Sequence, residues 1–173
     1  MKKIIPIIII LVLTTFINNY NKVIIPRDAI RFRVIANSNS EYDQKNKKII
    51  AKSLSTDIVE ILKETKSLNE ARNTLQKNLT NFEKEANNIA ISNNYNEKIN
   101  VDYGNHYFPE KEYKGVTYKE GEYESLVVTL GNGEGENFWC VLFPPLCLLE
   151  ADEEDTNKIE YKSFIKELID KYF

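Results

Sequence analysis

The sequence is poor in the residues that build most metal centres and nucleophilic sites. Its 173 residues include one histidine, two cysteines, one tryptophan and one methionine. A structural zinc site takes four nitrogen or sulfur ligands, so His106, Cys140 and Cys147 fall short of one and no metal site is expected. Basic residues are not in surplus either. The 23 Lys and Arg against 26 Asp and Glu give a formal net charge of −3, which removes the electrostatic footprint of a nucleic-acid binder. Glycine is scarce, and Gly131, Gly133 and Gly135 stand spaced in one loop. A phosphate cradle needs a helix N-terminus directly after such a loop, whereas an alternating, strand-like run follows Gly135, so no nucleotide cofactor is expected. Asn132-Gly133 between two alternating runs reads instead as the turn of a hairpin. No internal repeat of useful length is present.

One long run free of charge is present. Met1-Lys2-Lys3 precedes Ile4 to Ile17, which is apolar except for Pro6, Thr14 and Thr15. A basic start followed by such a run is an export signal, and it shows no polar face of the kind a core helix carries. The small-residue cleavage pair is missing from Asn18 to Lys22, which tilts the reading from a cleaved signal peptide towards an uncleaved anchor. Residues 1–21 are therefore expected to be a signal or a membrane anchor, with Lys2 and Lys3 on the cytoplasmic side, and residues 22–173 a single exported α+β domain.

Within that domain, Ala29 to Ala36 alternates Ile30, Phe32, Val34 and Ala36 against Arg31, Arg33 and Ile35, the pattern of a strand with one solvated face. Arg31 and Arg33 are expected to project outward, as edge protection or as a docking point for an acidic partner. Asn37 to Ser40 breaks the strand, and Ser40 with Asp43 is spaced to cap a helix on which Ile50, Leu54, Ile58 and Ile61 or Leu62 form the apolar stripe. Ser67 with Glu70 caps a second helix, expected to run without a break through Leu75, Leu79, Phe82, Ala86 and Ile89. Lys98 to Tyr103 is a further strand. Between Gly104 and Gly121, Lys111 to Tyr113 with Val116 to Tyr118 forms either a second hairpin or a loop over the sheet. Five carboxylates from Glu150 to Asp155 lack the alternation and glycine of a calcium loop and read as a solvated linker. A terminal helix, about Thr156 to Tyr172, should pack on the same core. The expected architecture is α+β: a mainly antiparallel sheet with helices on one face.

The densest apolar region runs from Glu120 to Glu150, EGEYESLVVTLGNGEGENFWCVLFPPLCLLE. Tyr123 to Leu130 places Leu126, Val128 and Leu130 on one strand face. Phe138, Cys140 and Leu142 alternate with Trp139, Val141 and Phe143, apolar on both sides, which fits a central strand or one whose outer face meets something else. Pro144-Pro145 ends the ladder. Cys140 and Cys147 enclose the proline turn, and in an oxidising compartment they would close it as a disulfide. The competing enzymatic reading sets one of these thiols beside His106 as nucleophile and base, which requires the two to meet in space. The pair Glu122 and Glu124 has the residue types of a glycosidase at a spacing common by chance. A surface of Trp139, Phe143, Pro144 and Pro145 would suit a protein partner, since aromatic residues dominate interface energetics.

The block WCVLFPPLC, with EGEYESLVVTLGNGEGENF before it, resembles the signature of the stage II sporulation protein R family, and AIRFRVIANSNSEYDQ (Ala29 to Gln44) is a second match in the family's order and approximate spacing. The resemblance spans roughly Ile25 to Leu149. It implies a signal made in the forespore and delivered between the two forespore membranes, where it activates a membrane-bound aspartic protease that processes a sigma-factor precursor. It also implies a ligand without catalytic residues, with a secreted Cys-His hydrolase as the alternative.

Overall fold

The computed structural model describes residues 23–113, 116–147 and 158–173. The N-terminal apolar run, Lys114-Gly115 and the acidic stretch Glu150 to Asp155 lie outside the described residues. Among the described residues no helix is long and apolar enough to cross a membrane.

In chain order the elements are β1 (Val23–Ile24), β2 (Ile30–Ile35), α1 (Glu41–Leu62), α2 (Leu68–Lys77), α3 (Leu79–Ser92), β3 (Ile99–Phe108), β4 (Lys111–Tyr113), β5 (Val116–Tyr118), β6 (Gly121–Leu130), β7 (Asn137–Phe143) and α4 (Lys158–Tyr172). The main sheet has the order β3-β6-β2-β7, and a small sheet the order β1-β5-β4. The fold is α+β, as the pattern predicts. β3 with β6, β2 with β7 and β4 with β5 are antiparallel, whereas β2 with β6 and β1 with β5 are parallel.

The expected hairpin at Asn132-Gly133 is corrected by this order. The chain does turn there, with Gly133 N–H donating to Leu130 O at 3.1 Å and Gly131 and Gly133 at φ 56° and 68°. The strands on either side do not pair, because β2 lies between them. A turn-and-alternation signal cannot tell a hairpin from two strands that straddle a third.

The helices form because their caps and stripes agree. Ser40 Oγ accepts from Asp43 N–H at 3.1 Å and starts α1, whose buried face is Ile50, Leu54, Ile58 and Leu62, while Ile61 is left exposed. Ser67 Oγ accepts from Glu70 N–H at 3.3 Å, and Glu70 reaches back to Lys66 N–H at 2.8 Å, starting α2. The expected six-turn helix breaks at Asn78, whose Nδ2 donates to Thr74 O at 2.9 Å. The backbone of Asn78 leaves helical geometry at φ −98° and ψ 5°, and its N–H is shared between the Thr74 and Leu75 carbonyls, which ends α2 there.

Ile30, Phe32 and Val34 of β2, Leu126, Val128 and Leu130 of β6, and the apolar faces of α1, α2 and α3 make one cluster on one side of the main sheet. A second cluster on the other side gathers Ile25, Ala29, Val116, Val141, Leu146 and Ile165. Here α4 departs from expectation, since Ile165 sits in the second cluster and Tyr172 stacks edge-on against Phe143 of the main one, with ring centroids 4.9 Å apart. β3 extends to Phe108, five residues beyond the expected end, because its ladder with β6 continues to Phe108 opposite Gly121. β4 and β5 form the second hairpin that the sequence left open.

Candidate functional site

The two sequence blocks are joined by hydrogen bonds. Asn37 Oδ1 accepts from Asn132 N–H at 2.9 Å, and Asn39 Oδ1 from Glu136 N–H at 2.7 Å. Gly135 N–H donates to Ala36 O at 2.9 Å, and Glu134 N–H to Asn37 O at 3.1 Å. The loop after β2 thus cradles the glycine loop before β7, and the glycines have a steric reason. A Cβ on Gly131 would overlap Asn37 Oδ1, and one on Gly135 would overlap the Ser38 carbonyl. Beneath this joint lies Asp43, whose Oδ2 accepts from Ser38 Oγ at 2.5 Å and Asn37 Nδ2 at 3.3 Å, and whose Oδ1 accepts from the buried Tyr95 hydroxyl at 3.1 Å. Burial alone would raise the Asp43 carboxyl, but the hydrogen bonds from Ser38, Ser40, Tyr95 and Asn37 outweigh it and hold the group below its ordinary value.

The joint fixes β7 as the edge strand of the main sheet, and a cleft of about 460 Å³ opens around that edge. On its helix side stand Lys47, Lys48 and Lys52 of α1. On the other stand Phe108, Tyr118 and Lys111, with Trp139 and Asn137 of β7 between them. Lys47 is buried and donates to Glu136 O at 3.0 Å and Gln44 Oε1 at 2.5 Å, and its desolvation lowers its pKa. Lys48 and Lys52 are exposed. No sequence pattern singled out these lysines, because a helix carries lysines on its solvated face by default; their i, i+4 spacing was the available signal.

The sequence-chosen contact residues separate. Arg31 is on the expected face, but that face is not solvent there. Its side chain is 3% exposed and its guanidinium lies 3.4 Å from the Tyr123 ring centroid and 5.1 Å from that of Phe108. Nη2 donates to Lys119 O at 3.3 Å. Solvated projection is therefore corrected for Arg31: the β3–β6 end and the small sheet supply aromatic faces, which suit a delocalised cation. Arg33, half-buried, stands 4.8 Å over Trp139, and Trp139 meets Phe108 edge-on at 4.9 Å. Phe143 leaves this group. A bulge opposite Ile30 and Arg31 skips Leu142, so Leu142 and Phe143 both enter the main core, with Phe143 only 1% exposed. Pro144 is buried beside it and Pro145 is half-buried. Trp139, Arg33 and Arg31 thus share one face, while Phe143 belongs to the other.

The cysteine enzyme loses its nucleophile. Cys140 and Cys147 form a disulfide with an S–S distance of 2.07 Å, and both are buried. His106 sits instead 2.7 Å from Ser125 Oγ and 2.9 Å from Asp102 Oδ2. Ser125 is fully buried and donates to Tyr123 O at 3.2 Å, so its hydroxyl is closed to a substrate and the trio is a polar clasp between β3 and β6, with Asp102 at its exposed end. Glu124 is likewise occupied. Arg72 grips both its oxygens at 2.6 and 2.7 Å and, with the Tyr103 hydroxyl at 2.8 Å, holds its carboxyl below the ordinary value against desolvation.

Comparison with known proteins agrees with the resemblance. The sequence model of stage II sporulation protein R matches residues 26–153, which takes in both joined blocks. The chain belongs to the stage II sporulation protein R family. The stage II sporulation protein R of Bacillus subtilis (strain 168) is 40% identical over 136 residues, covering 79% of this chain and 61% of the relative's length. No solved structure matches. The stage II sporulation protein R match thus covers the strand, cap loop, glycine loop and β7 that build the cleft, and ends before α4 begins.

Proposed function

We propose that this chain is an exported sporulation signal, made in the forespore, which acts in the intermembrane space as the ligand of a membrane-bound aspartic protease and triggers processing of a sigma-factor precursor. Family membership across residues 26–153 is the observation that carries the reading. The uncharged run from Ile4 to Ile17 after Lys2 and Lys3 supports export. The disulfide supports an oxidising destination and takes away the thiol on which a hydrolase would depend. The contact surface in this reading is the cleft around Trp139, flanked by Arg33, with Arg31 at its floor.

Co-expression in a host that does not sporulate tests it. The membrane protease and its precursor substrate are produced with the full chain, without it, and with residues 4–17 deleted. Cleavage should appear only with the full chain. Cleavage without the chain, or none with it, overturns the ligand reading; equal cleavage with the deleted form overturns the export requirement.

A further inference from the structure

The backbone of β7 is as informative as the side chains around it. In an antiparallel ladder alternate residues turn their N–H and C=O groups towards the same neighbour. Glu136 O accepts from Ala36 N–H, on the β2 side, and Val141 O accepts from Leu146 N–H, on the side away from β2. Residues 136, 138 and 140 therefore address β2, and 137, 139 and 141 address the open edge. Val141 O is already taken, which leaves the main-chain groups of Asn137 and Trp139 pointing into the cleft. Asn137 Oδ1 is buried there and accepts no hydrogen bond. Open edges are usually blunted, and among the described residues no strand pairs with this one.

Charge says what would pair with it. Among the described residues the cleft is lined by Arg31, Lys47, Lys48, Lys52 and Lys111 with Glu110 as the single carboxylate, in a chain whose formal net charge is −3. A strand added beside β7 would show one set of alternate side chains to the α1 lysines and the other set to Trp139, Phe108 and Tyr118. We infer that β7 receives an extended segment of a partner protein by strand addition at Asn137 and Trp139, the segment carrying carboxylates at alternate positions towards Lys48 and Lys52 and apolar side chains towards Trp139. This deepens the proposed function by giving the receptor contact its chemistry, and rests on that reading for the identity of the partner. The strand addition itself is tested without the receptor.

The probe is a capped heptapeptide alternating Glu and Val, added to the purified full chain in detergent at up to about 1 mM, the weak range proper to a short segment. Residue-resolved hydrogen exchange should slow at Asn137 and Trp139 and stay unchanged at Phe138 and Cys140. Binding should weaken at least tenfold in Lys48→Glu/Lys52→Glu, whose positions are exposed, and should vanish for the Lys-Val counterpart and for a peptide N-methylated at alternate residues. An acidic peptide that does not bind, or binds without protecting Asn137 and Trp139, overturns the inference even if co-expression shows precursor cleavage. A peptide that binds as described while the wild-type chain triggers no cleavage leaves strand addition standing and removes the receptor.

Discussion

Asp43 joins the cap of α1 to the two loops that aim β7, so Asp43→Asn tests whether that joint has the energetic weight its geometry implies. The carboxylate accepts from Ser38 Oγ, Asn37 Nδ2 and the Tyr95 hydroxyl, and is 5% exposed. An amide of the same shape keeps one acceptor oxygen. If that oxygen serves Ser38 and Asn37, the amide nitrogen faces the Tyr95 hydroxyl, which is 1% exposed and loses its acceptor. Hydrogen bonds to a charged group contribute about 1.5–3 kcal/mol against roughly 0.5–1.5 for neutral ones, so three of them weaken by about 3 kcal/mol together. Relief of the carboxylate's desolvation offsets part of this, leaving a net loss of about 2 kcal/mol, large beside a total of roughly 5–15. Urea unfolding followed by the fluorescence of Trp139 reads it. The pH dependence has a definite sign: the folded carboxyl lies below its ordinary value of 3.8, so its contribution is fully present above that value and is lost as pH falls through the depressed one. The gap between wild type and Asp43→Asn should stand at pH 7 and shrink as pH is lowered below 3.8. No gap at pH 7, or a gap that does not shrink, refutes the reasoning.

Gly135→Ala must push its Cβ into the Ser38 carbonyl, backbone that cannot rotate away, and should cost about 2 kcal/mol by urea unfolding, with retention of wild-type stability as the contrary result. Cys140→Ala/Cys147→Ala opens an eight-residue loop; loop entropy gives a loss of about 2.5 kcal/mol, and an unchanged urea midpoint would show that the Val141–Leu146 turn holds itself without the bridge. Trp139→Ala gives up its edge contact with Phe108 and its stacking with Arg33, together about 2 kcal/mol, so the variant should remain folded by circular dichroism while precursor cleavage in co-expression falls at least tenfold; full cleavage by the folded variant moves the contact surface away from β7.

Local signals in the chain were legible where one residue decides the outcome. Ser40 and Ser67 cap the helices they were expected to cap, the Ile50, Leu54, Ile58 stripe is core, and Cys140 meets Cys147 across the proline turn. Features set by strand order were not. Nothing in Asn132-Gly133 announces that β2 will insert between β6 and β7, and that insertion makes β7 an edge and gives the cleft an open backbone. Phe143 leaves the face that alternation gives it for a related reason: period two holds only until a bulge, and the one at Leu142 turns Phe143 into the core. Arg31 looked solvated because its alternation with Phe32 is that of a half-exposed strand, while the aromatic faces that enclose it arrive from Phe108 and Tyr123, far along the chain. The lysine wall of the cleft was invisible because Lys47, Lys48 and Lys52 acquire meaning only when α1 lies beside β7.

Direct binding between the purified full chain and the detergent-solubilised membrane protease tests the central claim. The ligand reading predicts saturable binding that weakens at least tenfold in the folded Lys48→Glu/Lys52→Glu variant and on raising salt; an absence of saturable binding by the wild-type chain would contradict it.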